Sequence, residues 1–79
     1  METLDLLRIL TETSGPPGRE DSARQRIEEI WSPLVDEIRT DRMGNLIALQ
    51  AGDGDESRPS IMIAAHMDEI GLIVTGFLV

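Results

Sequence analysis

Apolar and polar positions along the chain divide it into a helical first half and a second half that reads as β. Met1, Leu4, Leu7 and Leu10 recur every third position, with Leu6 and Ile9 widening the stripe. That spacing predicts a short helix from about Thr3 to Thr13. "SGPPG" (Ser14 to Gly18) cannot continue it, because two prolines and two glycines break the helical ladder. Ala23, Ile27, Ile30, Trp31 and Leu34 then space at three and four, so a second helix is expected from about Arg19 to Trp31. Glu20 and Asp21 fall in its first turn, where acids favour the positive end of the dipole, and Pro33 stops it.

From Val35 the period changes. "VDEIRTD" alternates imperfectly, as a half-exposed strand does. "RMGN" (Arg42 to Asn45) has turn chemistry, with Gly44 and Asn45 suited to positive φ, and "NLIALQ" returns, so the pair predicts a hairpin. "AGDGDESRPS" (Ala51 to Ser60) is a polar connection. "IMIAA" and "IGLIVTGFLV" are continuous apolar runs, the pattern of strands buried on both faces of an α/β sheet. The fold class expected is therefore α/β, with two N-terminal helices, a hairpin and buried strands.

Composition narrows the function. The chain has 79 residues, 15 acids against 7 bases and a formal charge of -8. All the bases are arginine. This balance offers no basic patch for phosphates, which excludes nucleic acid as the expected partner, and it disfavours an anionic membrane surface. Cysteine is absent, so neither a disulfide framework nor a thiolate metal site is expected. The opening "METLDLLRIL" lacks the basic start of a secretory signal, and no apolar run approaches the roughly 20 residues that span a bilayer. A soluble cytoplasmic protein is the expectation.

The candidate chemistry sits in "IMIAAHMDEIGLIV", Ile61 to Val74, which holds the only histidine, His66, at the end of an apolar run. In open α/β sheets, ligands bind at the carboxyl ends of strands. Residues two apart in an extended segment face one way, so His66 and Asp68 would share a side. An aspartate beside a histidine can accept one ring N–H and leave the other nitrogen free for a metal. The same pair could orient a base in a nucleophile–His–Asp arrangement. A surface or hydrogen-bonded histidine is the plain structural alternative. Ser14 lies among turn residues with no base nearby in sequence. Asp53, Asp55 and Glu56 lack the spacing of a calcium loop and read as a solvated connection.

Taken together, "SGPPGRE" at 14–20, "VDEIRTDRMGNLIA" at 35–48 and "AAHMDEIGLIV" at 64–74 resemble the opening of the tetrahedral aminopeptidases. These are also called glutamyl or deblocking aminopeptidases and often carry the label cellulase M or endoglucanase. The resemblance covers nearly the whole chain. It implies residues 1–79 are the amino-terminal portion of an α/β metallopeptidase catalytic domain, stopping before an inserted domain. It implies two divalent metal ions, zinc or cobalt, a peptide substrate and a homo-oligomer. Carried over by position, His66 is a metal ligand. Asp68 is the catalytic carboxylate that hydrogen-bonds and tunes that ligand. Glu69 matches an acid of unassigned role. Gly15, Gly18 and Glu20 match a turn between helices, and Gly44 and Asn45 match the hairpin; all five are structural. The family's other ligands and its glutamate base have no counterparts here, so the chain alone is expected to be inactive. A two-metal deacylase is the alternative within enzymes, and an inert self-associating fragment the alternative outside them. A glycosidase is disfavoured, because nothing here supplies a sugar-stacking aromatic set: Trp31 lies on an apolar helix face and Phe77 in a strand.

Overall fold

The computed structural model of the chain describes residues 1–55 and 57–78. Helix α1 spans Thr3–Glu12 and helix α2 spans Asp21–Trp31. A single 3-10 turn follows at Ser32–Leu34, and then strands β1 (Glu37–Thr40) and β2 (Leu46–Leu49). The α/β class, both helices and the hairpin agree with the sequence pattern. The chain forms two compact units. One contains Met1–Arg26 and the segment from Met67 onward; the other is Ile27–His66.

In the first unit, α1 ends where hydroxyls turn back onto the helix. Thr11 donates to the Leu7 carbonyl at 2.7 Å, and Thr13 donates to that of Ile9. Such back-bonding competes with the ladder and suits a helix end. The following turn is built by its own sequence. Arg19 N–H donates to the Pro16 carbonyl at 2.9 Å, closing a turn with Pro17 and Gly18 at its centre. Gly18 has φ 78°, so the pair forms a type II turn, with proline fixing the first central residue and glycine supplying the positive φ of the second. The Glu20 carboxylate accepts the Gly18 N–H at 2.8 Å. Residues 16–20 are thus committed to the turn, which is why α2 starts two residues later than its apolar spacing suggests. Ala23, on the first turns of α2, is the buried apolar residue, at 7% exposure.

In the second unit the strands pair antiparallel in the register Glu37↔Leu49, Ile38↔Ala48, Arg39↔Ile47 and Thr40↔Leu46. Ile38, Ala48 and Leu46 are half-buried on one face, while Arg39 and Ile47 are exposed on the other. The hairpin loop is a type I turn with a glycine bulge. Gly44 N–H donates to the Asp41 carbonyl at 3.1 Å, and Asp41 N–H to the Asn45 carbonyl at 3.0 Å. Gly44 takes φ 87° between them. The Asp41 carboxylate accepts the backbone N–H groups of Met43 and Asn45, and the Asn45 side-chain amide, each at 2.9 Å. Asp36 extends the ladder by donating its N–H to the Leu49 carbonyl at 2.9 Å, and its carboxylate accepts the Ala51 N–H at 2.7 Å.

The two apolar runs differ from expectation. Among the described residues, 61–65 and 70–78 form no strand and are exposed, with Ile63 at 93% and Leu72 at 100%. Apolar character favours burial, but a strand exists only when another backbone takes its N–H and C=O groups. Among the described residues, β1 and β2 pair only with each other. Val79 lies outside the described residues.

Candidate functional site

The candidate stretch runs from His66 to Gly71. His66 is exposed and is the last residue of its unit. Met67 and Asp68, which belong to the other unit, are half-buried, and Glu69 is exposed. His66 and Asp68 each take part in an interaction within the fold.

What holds the backbone after Met67 is the "SGPPG" turn. Glu69 N–H donates to the Gly15 carbonyl at 2.9 Å. Gly15 is buried, and a Cβ added there would meet the Ala23 Cβ at 3.1 Å and the Met67 carbonyl oxygen at 3.8 Å. Its requirement for glycine is therefore close approach to α2, since its φ is not in the left-handed region. A Cβ on Gly71 would meet the Pro16 Cβ at 3.0 Å. The turn and the motif thus touch at Met67, Glu69 and Gly71. Sequence reasoning read Gly15 as a turn glycine and missed this contact. The pairing of small residues at 15 and 23 was the one signal for it.

Of the other candidates, Asp55 has a structural role. Ser14 is exposed. The Asp55 carboxylate accepts the Ser57 hydroxyl at 2.6 Å and the Ser57 N–H at 3.0 Å, which holds its carboxyl below the usual carboxylate range. Arg58 donates to the Asp55 carbonyl at 2.8 Å. This is a local turn made by an aspartate on its own backbone. Glu56 lies outside the described residues.

Among the described residues, no group of three or more His, Cys, Asp or Glu side chains is placed to hold a metal ion. An imidazole can be a metal donor, and the described residues do not place two further donors with His66. No helix among the described residues is long and apolar enough to cross a membrane.

Residues 44–78 match the M42 glutamyl aminopeptidase family, and the match contains both the hairpin return and the His66–Glu69 motif. The chain is 46% identical over 74 residues to a protein of Acetivibrio thermocellus provisionally named an aminopeptidase, covering 94% of this chain and 21% of that protein. It is 38% identical over 71 residues to the lysyl aminopeptidase of Pyrococcus furiosus, covering 89% of this chain and 19% of that protein. It is 34% identical over 73 residues to a Thermococcus kodakarensis protein provisionally named a LysW-lysine/LysW-ornithine hydrolase, covering 92% and 20%. No solved structure matches the chain significantly. By sequence, residues 44–78 are those of the M42 aminopeptidase family, and the chain is similar along nearly its whole length to proteins named aminopeptidases. It spans about a fifth of the length of the curated relatives it matches.

Proposed function

We propose that the protein is a metal-dependent aminopeptidase of the cytoplasm, that it removes amino-terminal residues from peptides, and that residues 1–79 form part of its α/β catalytic domain. The observation that carries this reading is the motif "AHMDEIG", which lies inside the family-matched segment 44–78. The names of two of the relatives support peptidase chemistry.

In this reading His66 is one ligand of a pair of divalent ions, zinc or cobalt, and the remaining donors are supplied from outside the described residues. Bound metals of this kind polarise the scissile carbonyl and acidify the attacking water. In this reading Asp68 would be the carboxylate that takes one imidazole N–H of His66, fixing the tautomer and raising the basicity of the nitrogen left to hold the ion. Asp68 is half-buried, and lower solvent exposure would strengthen such a bond. A second copy of the protein is the proposed assembly partner.

A second reading is a two-metal amide hydrolase acting on a substrate other than a peptide amino terminus. It is favoured by the relative named for LysW-lysine and LysW-ornithine hydrolysis. One experiment separates the two. The whole protein, loaded with zinc or cobalt, is assayed on aminoacyl chromogenic substrates and on N-acyl amino acids, beside the 79-residue chain alone. Turnover of the aminoacyl substrates by the whole protein, lost in His66→Ala, supports the first reading. Turnover of N-acyl substrates alone supports the second. The 79-residue chain is expected to be inactive, and chelator-sensitive turnover by it would overturn the division of ligands.

A further inference from the structure

The contact between the "SGPPG" turn and the motif does more than close the first unit. The N–H of Glu69 belongs to the peptide group that begins at the Asp68 carbonyl. When Gly15 takes that N–H at 2.9 Å, it fixes the plane of this peptide and therefore the backbone rotation of Asp68 itself. Two further approaches bracket the same point. The site of a Gly15 Cβ lies 3.8 Å from the Met67 carbonyl oxygen, one residue before Asp68, and that of a Gly71 Cβ lies 3.0 Å from Pro16, three residues after it. Gly15 is itself seated against Ala23 of α2, so the clamp is anchored to a helix.

We propose that Gly15 is a positioning residue for Asp68: its carbonyl and its missing side chain let the turn hold the Asp68–Glu69 peptide against α2, and so aim the Asp68 carboxylate. The proposal rests on Asp68 serving the metal-ligand reading above. Its physical content is small tolerances. A Cβ at 3.1 Å from the Ala23 Cβ forces a shift of a few tenths of an ångström, and the Glu69 bond to the Gly15 carbonyl is where that shift is expected to be felt. The partner that orients a metal-binding histidine typically controls metal affinity or activity by about 10- to 100-fold.

The test uses the whole protein with the variants Gly15→Ala, Ala23→Gly and the pair together. Three quantities are read: amide exchange at Glu69 in the metal-free protein, zinc affinity by chelator competition, and kcat and KM on an aminoacyl substrate. Gly15→Ala is expected to speed Glu69 exchange and to lower zinc affinity and kcat by about tenfold, with KM little changed. Ala23→Gly removes the atom that a new methyl would strike, so the double variant is expected to recover most of both losses. If Gly15→Ala does not fold, Gly71→Ala strains the same clamp from the Pro16 side and is read identically. Unchanged zinc affinity and kcat in a folded Gly15→Ala or Gly71→Ala, or no recovery in the double variant, overturns the proposal. An inactive wild type that still binds zinc defeats the peptidase reading alone, and zinc affinity then decides on Gly15. A wild type that neither binds zinc nor turns over substrate defeats both.

Discussion

The backbone N–H of Glu69 donates to the carbonyl oxygen of Gly15 at 2.9 Å, joining a proline-rich turn to the segment that follows the only histidine. Glycine suits one side of this bond because a Cβ there would stand 3.1 Å from the Ala23 Cβ of α2, tighter than an ordinary contact. The acid on the other side contributes its backbone. The exposed Glu69 carboxylate is left for other work or for solvent.

Replacing Asp68 by Asn in the whole protein is expected to keep the shape of the side chain while removing the charge proposed to support His66. Metal affinity and kcat should fall by about 10- to 100-fold, measured by metal analysis after dialysis and by turnover. Unchanged metal content and turnover would show that His66 and Asp68 are not a ligand and its orienter.

The hairpin loop should loosen in acid. The Asn45 side-chain amide, and then the backbone N–H groups of Asn45 and Met43, hold the Asp41 carboxyl below its ordinary value of 3.8. A group whose folded pKa is depressed contributes stability above the unfolded value and loses it as pH falls through the folded one. Amide exchange at Met43 and Asn45, corrected for intrinsic rates, is therefore expected to be protected above pH 3.8 and to accelerate below it. Asp41→Asn should remove the dependence. A flat profile in the wild type would show that these bonds do not discriminate between the charged and neutral acid.

Gly44→Ala tests the same loop through the backbone. An alanine forced to φ 87° is expected to cost about 1–2 kcal/mol, read as a lower thermal midpoint and faster exchange across the β1–β2 ladder. An unchanged midpoint would mean that the bulge can rearrange at no cost.

The 79-residue chain on its own is expected to self-associate. Ile70, Leu72, Phe77 and Leu78 are exposed in a segment without charge or proline, which is the profile of a strand-pairing hazard. The charge of -8 opposes association, and salt screens it. Sedimentation at moderate salt should show dimers or larger species; a concentration-independent monomer of 8.7 kDa would overturn the expectation.

What could be read in the sequence was what short-range chemistry determines. The leucine stripe of α1, the proline and glycine of the type II turn and the "DRMGN" loop carry their instructions within a few residues. The start of α2 was displaced by Glu20, whose side chain caps the Gly18 N–H instead of opening the helix. "IMIAA" and "IGLIVTGFLV" specify burial but not a partner, and a strand is defined by its partner. Gly15 was legible as a turn residue. Its actual constraint, the Ala23 Cβ, lies on another element and is set by packing. The proposed pairing of His66 with Asp68 rests on spacing and resemblance.

The hairpin also has a consequence for the order in which the chain organises itself. Each bond that shapes it lies between Asp36 and Ala51, and its loop is closed by Asp41 within five positions. Hairpins of this kind form in about 1–10 μs, so the hairpin can assemble before any distant segment arrives. The bond from Gly15 to Glu69 is of the opposite kind. It waits for positions 15 and 69 to meet, and closure entropy grows with the length of chain between them. On a ribosome, Gly15 and its turn emerge well before Glu69 does. The backbone of the candidate site is therefore among the last parts of the first unit to acquire its shape.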